Sequence, residues 1–219
     1  MIRAILAGME IVLLLFRGIT ALDVVGPYEV LWRLPGAKVR FVAEEAGPMS
    51  TDEGALALVA TAPYREVTRA DLLVVPGGLG TRRLERDAPL LEWLRAIHPT
   101  TRFTTSVCTG ALLLAAAGLL RGARATTHWG SLPRLAEYGA IPVEERVVEA
   151  GKLITAAGVS AGIDMALTLA ARIAGPEVAQ EIQLRIEYAP APPFSAGTPR
   201  EAPPEVVAAA RARMRSREG

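Results

Sequence analysis

Two apolar runs, Ile11–Phe16 and Asp71–Val75, and the β-rich run Arg102–Val107 constrain this chain more than any other feature. Short apolar runs without polar alternation are strands buried on both faces, as in a parallel sheet covered by helices. Segments of helical spacing follow each run, and alternating strands and helices predict an α/β, flavodoxin-like, doubly wound and mostly parallel sheet. In such a sheet, sites form beyond the carboxyl ends of the strands. Asp23 lies just after the first run, Gly77 and Gly78 just after the second, and Cys108 just after the third. The topology therefore predicts that these residues converge at one edge.

Between the runs, local signals set the expected elements. Thr20 is read as the cap of a helix over Ala21–Leu34, kinked at Gly26-Pro27 and closed by Gly36. Val39–Val42 reads as a strand, Leu56–Val59 as part of a hairpin or a short strand, and 87–97 as a helix. After Cys108-Thr109-Gly110 come a helix over Ala111–Ala117 ended by Gly118, a strand near Ala123–Thr127 and a helix near Leu132–Tyr138. Val143–Glu149 and Leu153–Thr155 flank Ala150-Gly151 as a hairpin. Ser160 is read as the cap of a helix over Ala161–Ala174. Gly175-Pro176 then pairs a helix stop with the start of the next helix, over Val178–Tyr188. Six prolines make Ala189–Pro204 an irregular arm before a final arginine-rich helix, Glu205–Arg217. Residues 9–219 are read as one domain that includes this arm, with 1–8 as an extension and Met9 as an alternative start.

At 219 residues the chain suits one well-buried α/β domain. Its 24 basic and 23 acidic residues leave no excess charge to attract nucleic acid or an anionic membrane, which points to a small-molecule partner. The apolar runs are far shorter than the roughly 18 residues of a membrane span. No signal-peptide pattern opens the chain, so a cytoplasmic location is expected. Asparagine is absent and nearly all the basic residues are arginine, which fits a hot habitat or a GC-rich genome equally well.

Cys108 is the only cysteine, either a buried inert thiol or a nucleophile, so its reactivity carries the chemical question. Val107-Cys108-Thr109-Gly110, between a strand and a helix, resembles a nucleophile elbow. There the sulfur faces the positive end of the following helix, which predicts a thiolate. Backbone N–H groups of Gly78 and Thr109 are candidates for an oxyanion-type hole, after a Pro-Gly-Gly that is otherwise a tight turn. Asp23, in an apolar helical stretch, is either a solvated or capping residue or a protonated carboxyl bonded to the sulfur. His128 is either a partner of Cys108 or a residue that shapes the pocket. His98 is read as a surface residue and Asp164 as a buried, hydrogen-bonded structural carboxyl. Two histidines and one cysteine, without metal-ligand spacing, predict no metal site.

Val74-Val75-Pro76-Gly77-Gly78, Ser106-Val107-Cys108-Thr109-Gly110 and Ala125-Thr126-Thr127-His128-Trp129 resemble the ThiJ/PfpI superfamily, related to class I glutamine amidotransferases. Leu22-Asp23-Val24-Val25-Gly26-Pro27, Gly139-Ala140-Ile141-Pro142-Val143, Ala161-Gly162-Ile163-Asp164 and the stretch Leu184–Phe194 are similar to its isonitrile hydratase branch. The resemblance implies a homodimer that hydrates an isonitrile to an N-substituted formamide without metal or cofactor. Cys108 would be the nucleophile, Asp23 the acid and Thr109 a required hydroxyl and backbone donor. Gly77, Gly78 and His128 would line the substrate site. Many members carry glutamate where this chain has Asp23, and the shorter carboxyl favours the hydratase branch. Two other classes share the elbow: redox-sensing or chaperone-like members that oxidise the cysteine, and sensor domains of transcription regulators, which continue into a DNA-binding region.

Overall fold

The computed structural model describes residues 8–52 and 54–216; the expected extension lies outside this range except for Gly8, as does Arg217 of the expected last helix. The first apolar run forms β1 (Met9–Leu14), buried at every position but Glu10. Helix α1 (Ala21–Leu31) follows, and β2 (Ala37–Ala43) pairs parallel to β1. β3 (Gly47–Ser50) and β4 (Ala57–Ala60) form an antiparallel hairpin, and β5 (Ala62–Pro63) extends the sheet edge beside β2. The chain then crosses to the other side of β1 as β6 (Leu72–Val75), parallel to it and wholly buried.

Helices α2 (Thr81–Leu84) and α3 (Ala88–Ile97) lead to β7 (Phe103–Val107), which enters α4 (Gly110–Ala116) through Cys108 and Thr109. Next come β8 (Arg124–Ala125), α5 (Arg134–Glu137) and β9 (Ile141–Pro142), β8 and β9 making a small separate pair. β10 (Val147–Ala150) turns at Gly151 into β11 (Leu153–Ala156), and α6 (Ala161–Ala174), α7 (Pro176–Arg185) and α8 (Pro204–Ser216) complete the chain. The main sheet runs β10-β11-β7-β6-β1-β2-β5 and is parallel except where β10 pairs with β11.

This order explains why the sheet is so apolar. Ile11, Leu13, Leu72 and Leu73 lie between helical layers with no exposure, each worth roughly 1.5–3 kcal/mol of burial. The strand order reverses at β1 and β6, so the loops leaving their carboxyl ends diverge and open a crevice. Cys108 follows the neighbouring β7 and faces the same edge.

Several local expectations are corrected. Thr20 does not cap α1; its hydroxyl donates to Asp52 Oδ2 at 2.6 Å, which ties the α1 entrance to the turn after β3. Ser160 makes no cap either, and its Oγ instead accepts from Arg146 at 3.3 Å. α1 stops at Leu31, three residues before the predicted end, and the Ala123–Thr127 strand shrinks to two residues. By contrast Asp87 caps α3, accepting from Leu90 N–H at 3.0 Å. Among the described residues, no helix is long and apolar enough to cross a membrane.

The elbow depends on close backbone approach. A Cβ on Gly110 would lie 2.1 Å from the Val75 carbonyl oxygen and 2.6 Å from that of Pro76. Both are backbone atoms, one at the last residue of β6 and one just after it, so neither can yield without shifting the end of the strand. Gly110→Ala should therefore lose about 3 kcal/mol or more in denaturant unfolding, at the upper end for overpacking. A loss below about 1 kcal/mol would contradict this packing.

Candidate active site

Cys108 occupies the turn between β7 and α4 with φ of 56°, a left-handed conformation unusual for a residue with a side chain. The strain costs on the order of 1–2 kcal/mol and is held in place by neighbours on both sides. Its N–H donates to the carbonyls of Ala156 and Ala157, at 3.1 and 2.9 Å, beyond the end of β11. The Thr127 hydroxyl donates to its carbonyl at 2.7 Å. The turn thus presents the sulfur to the crevice while fixing the backbone behind it.

The three predicted positions do converge. Asp23, in the first turn of α1, is fully buried, and its Oδ2 accepts from Gly77 N–H at 2.8 Å. Its Oδ1 is buried without a hydrogen-bond partner, and the Cys108 thiol lies close enough to the same carboxyl to lower its pKa. Gly78 N–H donates to Thr109 Oγ1 at 3.0 Å. Since Asp23 and Thr109 already occupy the Gly77 and Gly78 N–H groups, the predicted oxyanion role of Gly78 gives way to positioning. Gly77 also has to be glycine: an added Cβ would lie 2.5 Å from Thr109 N and 2.9 Å from Asp23 Oδ2.

Burial sets the charge of the pair. It pushes the Asp23 carboxyl up from 3.8 to about 7, against the opposing effects of the Gly77 N–H and the Cys108 thiol. Burial, and after it the Asp23 charge, also push the Cys108 thiol up. N–H groups of Thr109 and Val159 and the Thr109 hydroxyl pull in the other direction without overcoming it. The thiolate expected from the following helix is therefore corrected: Cys108 is only 6% exposed, α4 has seven residues, and desolvation outweighs the pull of the helix end. The part due to Asp23 disappears once that carboxyl holds a proton, so the two groups titrate as a pair.

Sequence reading missed two contributors. Val159, with φ of 35°, directs its N–H to the sulfur from the loop after β11. The rule about carboxyl ends of strands would have found it, had Leu153–Thr155 been read as a sheet strand and not only as half of a hairpin. Thr81 is buried, with its hydroxyl 2.8 Å from the Gly78 carbonyl and 3.2 Å from Thr109 Oγ1. It thereby fixes the Thr109 hydroxyl.

Cys108, Thr109, His128 and Val159 line a cavity of about 380 Å³, large enough for a small organic molecule. His128 Nδ1 accepts from Gly130 N–H at 3.2 Å, and burial lowers the imidazole's pKa. It is thus a neutral pocket wall whose accepting nitrogen is already used. His98 is not a plain surface residue: it is half-buried, with Nδ1 2.8 Å from Thr104 Oγ1. Asp164 is hydrogen-bonded as expected, to Arg146 and Tyr188, but about a third exposed and not buried. Among the described residues, no three His, Cys, Asp or Glu side chains cluster closely enough to hold a metal ion.

The raised Asp23 pKa makes stability fall with pH. Below 3.8 both folded and unfolded states hold the proton; between 3.8 and about 7 only the folded state does, so each step upward favours unfolding. Asp23→Asn should therefore stabilise the protein by a few kcal/mol above pH 7, a gain that shrinks toward pH 4, in denaturant titrations at several pH values. A pH-independent effect would mean that Asp23 is ionised throughout.

The DJ-1/PfpI family model matches residues 9–172. The chain is 46% identical to the isonitrile hydratase of Pseudomonas putida over 94% of its own length and 90% of that protein's. It is 32% identical to the HTH-type transcriptional regulator CdhR of Pseudomonas aeruginosa over 64% of this chain, but this spans only 42% of the regulator. The crystal structure of a ThiJ/PfpI family protein from Pseudomonas syringae superposes with a TM-score of 0.92 at 39% identity, covering 97% of this chain and 89% of that one.

Proposed function

The chain belongs to the DJ-1/PfpI family, and we propose that within it the protein is an isonitrile hydratase, a carbon–nitrogen lyase acting through Cys108. One observation carries the reading: a buried, neutral-leaning carboxyl meets the only thiol at the floor of a small-molecule cavity. The near full-length likeness to a hydratase supports the same chemistry.

An isonitrile needs a proton and a nucleophile at one carbon, and Asp23 with Cys108 supplies both. As the sulfur bonds to the isonitrile carbon, the thiol proton passes to Asp23, and Asp23 gives its own proton to that carbon. The product is a thioimidate, Cys108–S–CH=N–R, and Asp23 is again neutral. Water, held by the Thr109 hydroxyl, adds to the same carbon while its proton goes to nitrogen. Collapse expels the sulfur, which regains the hydroxyl proton, and releases R–NH–CHO. The sum is one isonitrile plus one water. Gly77 and Gly78 hold the acid and the hydroxyl in register, and His128 walls the pocket.

The proposal makes the enzyme a cytoplasmic homodimer that needs neither metal nor cofactor. The proline-rich arm is exposed, with Phe194 79% accessible and Leu184 at the end of α7 80% accessible beside it in sequence, and would gain order by docking on a second copy. Light scattering should give twice the chain mass; a monomer across a wide concentration range would remove this part. The redox reading is disfavoured by the same burial, since oxidants attack exposed thiolates.

Formamide production from cyclohexyl isocyanide tests the reaction. Cys108→Ala should abolish turnover, and Asp23→Asn should lower it on the order of a hundredfold or more. Wild-type kcat/KM should fall as pH rises through about 7, as Asp23 loses its proton. Full activity in Cys108→Ala, or no formamide from the wild type, would overturn the assignment.

A further inference from the structure

The cavity above Cys108 has a charge that hydration of a simple isonitrile does not require. Four of its lining residues are arginines: Arg82, Arg134, Arg211 and Arg215. Among the described residues that line it, Asp52 is the one carboxylate, and it is already engaged by the Thr20 hydroxyl and by Leu79 N–H at 2.8 Å.

Two of these arginines are held in place by contacts. Glu85, nearly buried, accepts both terminal nitrogens of Arg134, at 3.2 and 2.6 Å, and the Tyr138 hydroxyl donates to the same carboxylate at 2.6 Å. A guanidinium has five N–H donors, and this pair uses two, so Arg134 keeps donors for the cavity while its orientation is fixed. Arg211 stacks 4.9 Å from the centre of the Trp129 ring. Arg215 follows one helical turn later and faces the same cavity. Among the described residues, neither Arg211 nor Arg215 pairs with a carboxylate. The C-terminal helix α8 thus delivers two uncompensated cations to a pocket whose nucleophile is neutral.

We propose that the preferred substrate is an isonitrile that carries a carboxylate, bound by Arg211 and Arg215 with Arg134 on the facing wall. This rests on the hydratase reading and narrows its substrate class. The volume supports it, because an isonitrile group at the sulfur fills only part of about 380 Å³ and leaves room for an acidic substituent. An extended anionic polymer fits less well, since these arginines line a cavity and not an open face. The chemistry is unchanged: water adds across the isonitrile carbon and the carboxylate remains a bystander.

Isocyanoacetate and ethyl isocyanide, similar in size and different in charge, are the probes. The wild type should favour isocyanoacetate in kcat/KM, and that preference should shrink as salt rises, because screening weakens exposed ion pairs. In Arg211→Gln/Arg215→Gln, at exposed positions of a terminal helix, the preference ratio should fall about tenfold or more. A ratio near one in the wild type, or one that the double substitution leaves unmoved, would overturn the proposal. Binding separates this failure from failure of the hydratase reading. N-formylglycine should bind the wild type more tightly than N-ethylformamide, and the double variant should lose the difference. If neither isonitrile turns over but that arginine-dependent preference persists, the hydration chemistry is wrong and the anion selectivity stands. If the neutral isonitrile turns over and the preference is missing, the anion proposal alone fails.

Discussion

A carboxyl and a thiol buried in one small space cannot both carry charge, and that constraint organises the rest of this molecule. Asp23 arrives from α1 and Cys108 from the turn after β7; burial makes both costly to ionise, and a charge on Asp23 raises the cost for the thiol further. The surroundings allow the meeting. Gly77 has no side chain where one would strike both Thr109 and Asp23, and the left-handed backbone at Cys108 is fixed by carbonyls beyond β11 and by Thr127. Burial therefore produces an acid that keeps its proton up to about pH 7 beside a thiol that also stays protonated.

The fold supplies this meeting through its strand order. With β1 and β6 at the reversal and β7 next to them, three loops that are distant in sequence leave one edge together. Helix α8 then reaches back to the cavity through Arg211, Met214 and Arg215, so the last described helix contributes to the lining of a site that begins with Asp23 in the first. The buried acid Asp23 and the arginines of α8 come from opposite ends of the chain.

Much of this was legible in the sequence, for physical reasons. Ile11–Phe16, Asp71–Val75 and Arg102–Val107 read as strands, and with helical segments between them they predicted the parallel sheet and the edge where Asp23, Gly77, Gly78 and Cys108 meet. What escaped was contact-dependent. Thr20 and Ser160 have the residue types of caps, but the nearby Asp52 and Arg146 offered their hydroxyls stronger partners. The thiolate expectation failed because a helix end is visible in sequence while desolvation is not. Val159 carries no side-chain signal for what its N–H does, and the return of α8 to the cavity depends on an arm whose prolines forecast irregularity but not direction.

The central claim is that Asp23 is held neutral by burial beside Cys108. Infrared difference spectra of wild type minus Asp23→Asn test it most directly, through the carbonyl stretch of a protonated carboxylic acid. The account predicts that this band is present well below pH 7 and lost as pH rises through about 7. A spectrum that shows only ionised carboxylate down to the ordinary range of aspartate would contradict it.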